Sequence, residues 1–160
     1  MREKAMNSST DNGFGMSGKL SSAIKGGAVE DEVSPLEVTA VEWNSTGAIV
    51  MASYGVKDAT GWCNSKGAVA AWNLSARDFD AEKPSVTLEH SSYIMCIASH
   101  PDKPALFCAG SFNGEILLFD LSLEEPLVAC SKIDDYFHRE PISSLCWTWS
   151  MVEGDYQVGC

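Results

Sequence analysis

The sequence predicts an all-β fold of repeated, stacked sheets, on three observations. Short apolar runs alternate with Gly, Pro and Asn turn clusters along most of the chain. No window holds an i, i+3, i+4, i+7 apolar stripe for three turns, which disfavours amphipathic helix. The stretch GAVAAWNLS, starting at Gly67, returns as GEILLFDLS from Gly114, 47 residues later. A period of roughly 40–50 residues is that of sheet-forming repeats.

The elements follow in order. VTAVEW (Val38–Trp43), the turn Asn44-Ser45-Thr46-Gly47 and AIVMASY (Ala48–Tyr54) form the first hairpin. A long loop, Gly55–Gly67, leads to AVAAWNL, and SVTLE completes the cycle. The second cycle reads IMCIAS (Ile94–Ser99), the turn His100–Pro104, LFCAGS, the turn Phe112-Asn113-Gly114, EILLFDL and PLVACS. A third opens with ISSLCW (Ile142–Trp147). On this reading Val38, Ile94 and Ile142 begin equivalent strands, at spacings of 56 and 48. The Gly55–Gly67 loop accounts for the longer first interval.

Most runs are apolar on both faces, which a sheet solvated on one side would not be. Sheets stacked radially, each covered by its neighbours, meet that condition, so the expected architecture is a β-propeller arc. A two-sheet sandwich is the competing reading, and the recurring interval weighs against it. The expected organisation is a disordered, Ser/Gly-rich lead-in over residues 1–33. A partial propeller of two to two and a half blades follows over 34–160, ending within a third blade. An open arc leaves sheet faces unpaired at its ends, so aggregation or partial unfolding of this chain alone is expected.

The formal net charge is −11, and residues 34–160 carry seven basic against seventeen acidic side chains. That argues against a phosphate-tracking surface and points away from nucleic acid. The six cysteines show no metal-ligand spacing and mostly sit in apolar runs, where a thiol behaves as a small hydrophobe. No secretory h-region or membrane-length apolar stretch is present, which suggests a reducing cytoplasm.

Several residues resemble the WD-repeat family of β-propellers. His90 and His138 each precede a first strand by four residues. Asn113 stands at the family's turn aspartate, while Phe119-Asp120 and Trp72-Asn73 stand at its Trp-Asp. Glu89 and Phe137 replace the glycines before the histidines, and Ser34 replaces the first histidine. VTAVEWNSTGAIVMASYG, the loop with Gly61-Trp62, AWNLSAR and the His100–Pro104 turn are together similar to the dynein intermediate chains, those of cytoplasmic dynein-2 in particular.

That resemblance implies a non-enzymatic scaffold that docks on a dynein heavy chain for retrograde intraflagellar transport and cilium assembly. The setting it implies is cytoplasm, cytoskeleton, axoneme and basal body. Other dynein intermediate chains and light chains would be partners, although no Thr-Gln-Thr-like light-chain motif occurs here. No cofactor, metal or membrane insertion is implied. The alternative is a WD-repeat adaptor unrelated to motors, such as a substrate receptor of a ubiquitin ligase; a β-rich enzyme is a third reading.

Catalytic readings fare poorly. His90 and His138 lack a carboxylate or cysteine at a supporting spacing, so a structural hydrogen bond is the expected role. His100, before Pro101, reads as a turn residue. Cys96, Cys108 and Cys146 lie in apolar strands, leaving Cys63 as the expected exposed thiol. The Gly-rich stretch 12–19 lacks phosphate-loop spacing. The candidates for function are instead two loops, Gly55–Gly67 and Ile133–Pro141, expected on one rim. They carry Trp62, Asp58, Asp134, Asp135 and Tyr136: either a tryptophan anchor with an acidic surround, or a Trp62 folded down over the blade edge with the acids merely solvated.

Overall fold

A computed structural model describes residues 35–131 and 138–160. Expectations for Asp134, Asp135, Tyr136 and the lead-in fall outside the described residues. Ten strands form three antiparallel sheets, with no helix among the described residues. The first sheet has order β1-β2-β3-β4 (Glu37–Trp43, Ile49–Gly55, Gly67–Asn73, Val86–His90). The second has order β5-β6-β7-β8 (Ile94–Ser99, Leu106–Ser111, Ile116–Asp120, Leu127–Cys130). The third is a hairpin of β9 (Cys146–Ser150) and β10 (Asp155–Gly159). Chain order and sheet order coincide, so each sheet is a meander, and the whole is a partial β-propeller.

The repetition extends to single rungs. In the first sheet Trp43 pairs with Val50 and Val50 with Trp72; in the second Ser99 pairs with Phe107 and Phe107 with Phe119. The first strand of each four-stranded sheet is irregular at the same place, between Val38 and Ala40 and between Ile94 and Cys96. A bulge fixes local twist and re-aims side chains, and the same bulge recurs 56 residues on.

The turns explain their own composition. Asn44 Oδ1 accepts the N–H groups of Ala48 and Ile49, each at 3.0 Å, folding the chain back into β2. At the equivalent place after β5, His100 Nδ1 accepts from the N–H groups of Asp102 and Lys103, each at 3.0 Å. After the third strands, Asn73 Oδ1 accepts from the Ser75 N–H at 3.0 Å and Asp120 Oδ1 from the Ser122 N–H at 2.9 Å. These Asx turns redirect each chain towards its outer strand. The Ser122 hydroxyl and N–H hold the Asp120 carboxyl below its usual range.

Between the first two sheets lies the main core. Met51, Val69 and Ala71 of one face meet Ile94, Ile97, Phe107, Ala109, Leu117 and Phe119 of the other. Phe107 and Phe119 stack at 5.1 Å, and emptying such a site costs roughly 3–5 kcal/mol. Polar clamps add direction: Thr39 Oγ1 donates to the Ile94 carbonyl at 2.6 Å, and Asn44 Nδ2 to the Pro104 carbonyl at 3.0 Å. On the far face of the second sheet, Cys96, Cys108, Ile142 and Leu145 form the next layer, joined by Trp147. The Trp147 indole N–H donates to the Ala98 carbonyl at 3.0 Å, and its ring lies 4.6 Å from the buried His100. The far face of the first sheet presents Ala52, Tyr54, Ala70 and Trp72, with Val41 and Trp43 more than half exposed beside them.

Three expectations need correction. Ile142 does not open the third sheet: that strand begins at Cys146. The Ile142 N–H donates to the Ser111 carbonyl at 3.1 Å, and its side chain fills the space above Gly110, so it caps the second sheet instead. Cys146 shares its rung with Gly159 as Cys96 does with Gly110, which makes the second interval 50 residues, not 48.

Cys63 is buried, while Cys146 and Cys160 are exposed. Cys63 is turned inward onto Tyr93 and Phe112. Cys146 precedes Trp147 on β9 and so points away from the core that Trp147 joins. Burial pushes the Cys96 thiol up to about 11 and the Cys108 thiol up to about 12, leaving both inert.

Finally, both histidines do meet a supporting group across long separations. His90 Nε2 lies 2.9 Å from Glu115 Oε2, and His138 Nε2 lies 2.9 Å from Cys160 Sγ.

Candidate protein interface

The long β2–β3 loop is held by one side chain from the next sheet. Asn113, buried in the β6–β7 turn, accepts the Cys63 N–H at Oδ1 (2.9 Å) and donates from Nδ2 to the Cys63 carbonyl (2.8 Å). The amide thus pairs with Cys63 as a strand neighbour would. Asn113 is itself fixed, its N–H reaching Ser92 Oγ at 3.3 Å. Gly61, at φ +78, adopts a conformation that side chains oppose and turns the chain just before this clamp. Cys63 is therefore drawn in, whereas Trp62 is 57% exposed. Asp58 is exposed on the same loop.

Gly114 closes the β6–β7 turn at φ +89, beneath the segment from His138. A Cβ there would collide with the His138 carbonyl, so glycine is required for both dihedral and space. The β2–β3 loop and the His138–Pro141 segment consequently flank one cleft of about 390 Å³. It is lined by Lys57 and residues 59–62 of the loop, by Arg139, Glu140 and Pro141, and by Met95, Phe112 and Asn113.

The remaining motif residues lie elsewhere. His90 ends β4, and its pair with the half-buried Glu115 ties the outer strand of the first sheet to the start of β7. Trp72 and Phe119 are core residues, while Asn73 and Asp120 serve the Asx turns. None of these reaches the cleft. Lys57 and Arg139, which do, carry no signal in the sequence beyond isolated charge. Among the described residues no group of three His, Cys, Asp or Glu is placed to hold a metal ion. Among the described residues the site offers an exposed indole, a floor of Met95, Phe112 and Asn113, two cations and the carboxylate of Glu140.

No protein-family model matches the chain. Over 113 residues, 70% of its length, it is 41% identical to cytoplasmic dynein 2 intermediate chain 2 of Homo sapiens. It is 36% identical to the Mus musculus protein of the same name over the same length. The chain resembles a dynein-2 intermediate chain. It spans 21% of the length of each of these relatives. The resemblance implied by the Trp43–Gly47 and Trp62 stretches therefore stands on overall identity as well.

Proposed function

We propose that this chain is part of a dynein-2 intermediate chain, a non-catalytic subunit that uses its rigid sheets to present loops to the motor's heavy chain. Force and ATP hydrolysis belong to that partner. The role would place the protein at the cytoskeleton and cilium, in retrograde intraflagellar transport. The observation that carries this reading is the 41% identity to a dynein-2 intermediate chain. Trp62 is supporting evidence, since an exposed indole on a clamped loop has little entropy left to lose on binding.

In the intact protein, Trp62→Ala should leave folding unchanged and weaken heavy-chain co-purification by about tenfold, corresponding to an anchor worth 1–2 kcal/mol or more. Unchanged recovery of the heavy chain would dismiss Trp62 as the anchor. Recovery of ubiquitin-ligase subunits in place of a motor would favour the adaptor reading.

A further inference from the structure

The β9–β10 turn has a counterpart in each of the other sheets. Cys146–Gly159 corresponds to Cys96–Gly110, so the Trp149–Tyr156 rung corresponds to Ser99–Phe107 and, in the first sheet, to Trp43–Val50. The first two ladders stop there. The third adds the rung Ser150–Asp155, which carries its turn roughly 3.3 Å further out. The three turns share one rim: Asn44 Nδ2 donates to the Pro104 carbonyl at 3.0 Å, and Lys103 Nζ lies 3.9 Å from the Asp155 carboxylate. The Trp62 loop joins second strand to third and so leaves from the opposite rim. Pro35, Ser131 and His138, the points at which the described residues begin, break off and resume, lie at that opposite rim too.

The turns differ in what they show to solvent. The first exposes Ser45 and Thr46, and the second Pro101, Asp102 and Lys103. The third exposes Met151 and Val152, each at 93%, with Trp149 half exposed on the strand leading to them. A single exposed apolar side chain is ordinary, but here two are consecutive, at a tip whose counterparts are polar, beside an indole. The turn itself does not call for them. Ser150 accepts the Gly154 N–H at its carbonyl (2.8 Å) and the Glu153 N–H at Oγ (3.2 Å), and Gly154 supplies the left-handed φ of +67. None of these bonds uses the side chain of Met151 or Val152.

The tip is held from below. Trp149 meets Tyr156 edge to face at 5.1 Å, Tyr156 lies 5.0 Å from His100, and Trp147 is bonded to the Ala98 carbonyl. A point fixed in this way has little freedom left to lose on binding. Its charged border is acidic, with exposed Glu153 and Asp155 on the hairpin and Asp102 on the neighbouring turn. Lys103 is the cation among these described neighbours, and it already leans on Asp155. Cytoplasmic membrane surfaces are themselves anionic, so this border disfavours insertion into lipid. It suits a surface that offers lysine or arginine.

We propose that the tip from Trp149 to Val152 docks a protein partner, Met151 and Val152 entering an apolar pocket bordered by lysine or arginine side chains that face Glu153 and Asp155. The tip and the Trp62 loop lie on opposite rims, so both can be occupied at once. This holds independently of which partner Trp62 meets.

Photo-methionine, a diazirine that keeps the length of methionine, tests the proposal when incorporated into the intact protein in cells. Mass spectrometry then maps what position 151 has joined. The expected product is one partner protein, crosslinked at an apolar site with Lys or Arg beside it. V152S should lower its yield by about tenfold, as for loss of an anchor, and E153K/D155K should lower it similarly. Ser45→Ala, on the counterpart turn, should leave it unchanged. Absence of any crosslinked polypeptide from position 151 would overturn the proposal. So would adducts to lipid, to another part of this chain or to a second copy. Yields indifferent to V152S would dismiss the apolar anchor, and yields indifferent to E153K/D155K would dismiss the cationic border. A loss that appears only together with a lowered melting temperature would assign the effect to folding and equally overturn it.

Discussion

Asn113 shows how one side chain can set the position of a loop 50 residues away. Replacing it with alanine leaves the Cys63 N–H and carbonyl unpaired in a buried place, at about 1–3 kcal/mol. Asn113→Ala should therefore lower the unfolding free energy by that amount and raise hydrogen exchange across residues 59–66. An unchanged exchange pattern there would mean that the loop is held by other contacts.

His100 is the second residue with a disproportionate role. Burial, and then the Lys103 charge, hold its imidazole below the ordinary histidine value of 6.5, opposed by Asp102 and Asp155. The folded state keeps the ring neutral, with Nδ1 accepting two N–H groups; the unfolded chain protonates at the ordinary value. Its stabilisation is thus complete above pH 6.5 and is lost as pH falls from there towards the depressed folded value. Urea midpoints should decline over that window with a contribution of at most about 1.4 kcal/mol per pH unit. His100→Asn, which supplies the acceptor found at Asn44, should flatten that contribution; an unaltered slope would assign it to other groups.

At the scale of elements, the chain's local signals were faithful where a strand and its turn are written in one short stretch. Ile94–Ser99 and Leu106–Ser111 fall on the runs IMCIAS and LFCAGS. Trp72 and Phe119 occupy equivalent rungs, as the repeat of their flanking residues requires. Legibility ended where partners come from different sheets. Ile142 is apolar and β-branched, so it reads as a strand start, yet the space above Gly110 claims it. Cys63 lies in a polar loop, and only Asn113 turns it inward. Neither the Glu115 partner of His90 nor the cations of the cleft follow from any local period. Alternation reports which face is buried, not which side chain of another sheet lies opposite.

Gly114 offers the test at this scale. Gly114→Ala incurs about 1–2 kcal/mol for its left-handed backbone, and more from the collision with the His138 carbonyl. The melting temperature should drop, and the Arg139–Pro141 wall should exchange faster while Lys57–Trp62 changes less. Equal loosening of both walls would argue that the β6–β7 turn, rather than its contact with His138, had failed.

For the whole molecule, stacked sheets explain why the strands are apolar on both faces. The first sheet's far face, with Val41 and Trp43 58% and 52% exposed, is the type of surface that a further blade or partner covers. Among the described titratable residues, His90 pairs with Glu115, His100 and Asp120 serve as turn acceptors, and burial leaves Cys96 and Cys108 inert. The proposed role, part of a dynein-2 intermediate chain, rests on the sequence identity, and these features are compatible with it.

Affinity isolation of the intact protein from ciliated cells, with quantitative mass spectrometry of what accompanies it, tests that account most directly. It predicts a dynein-2 heavy chain recovered in near-stoichiometric amount. Recovery of the protein without any dynein heavy chain, under conditions that preserve other motor complexes, would contradict it.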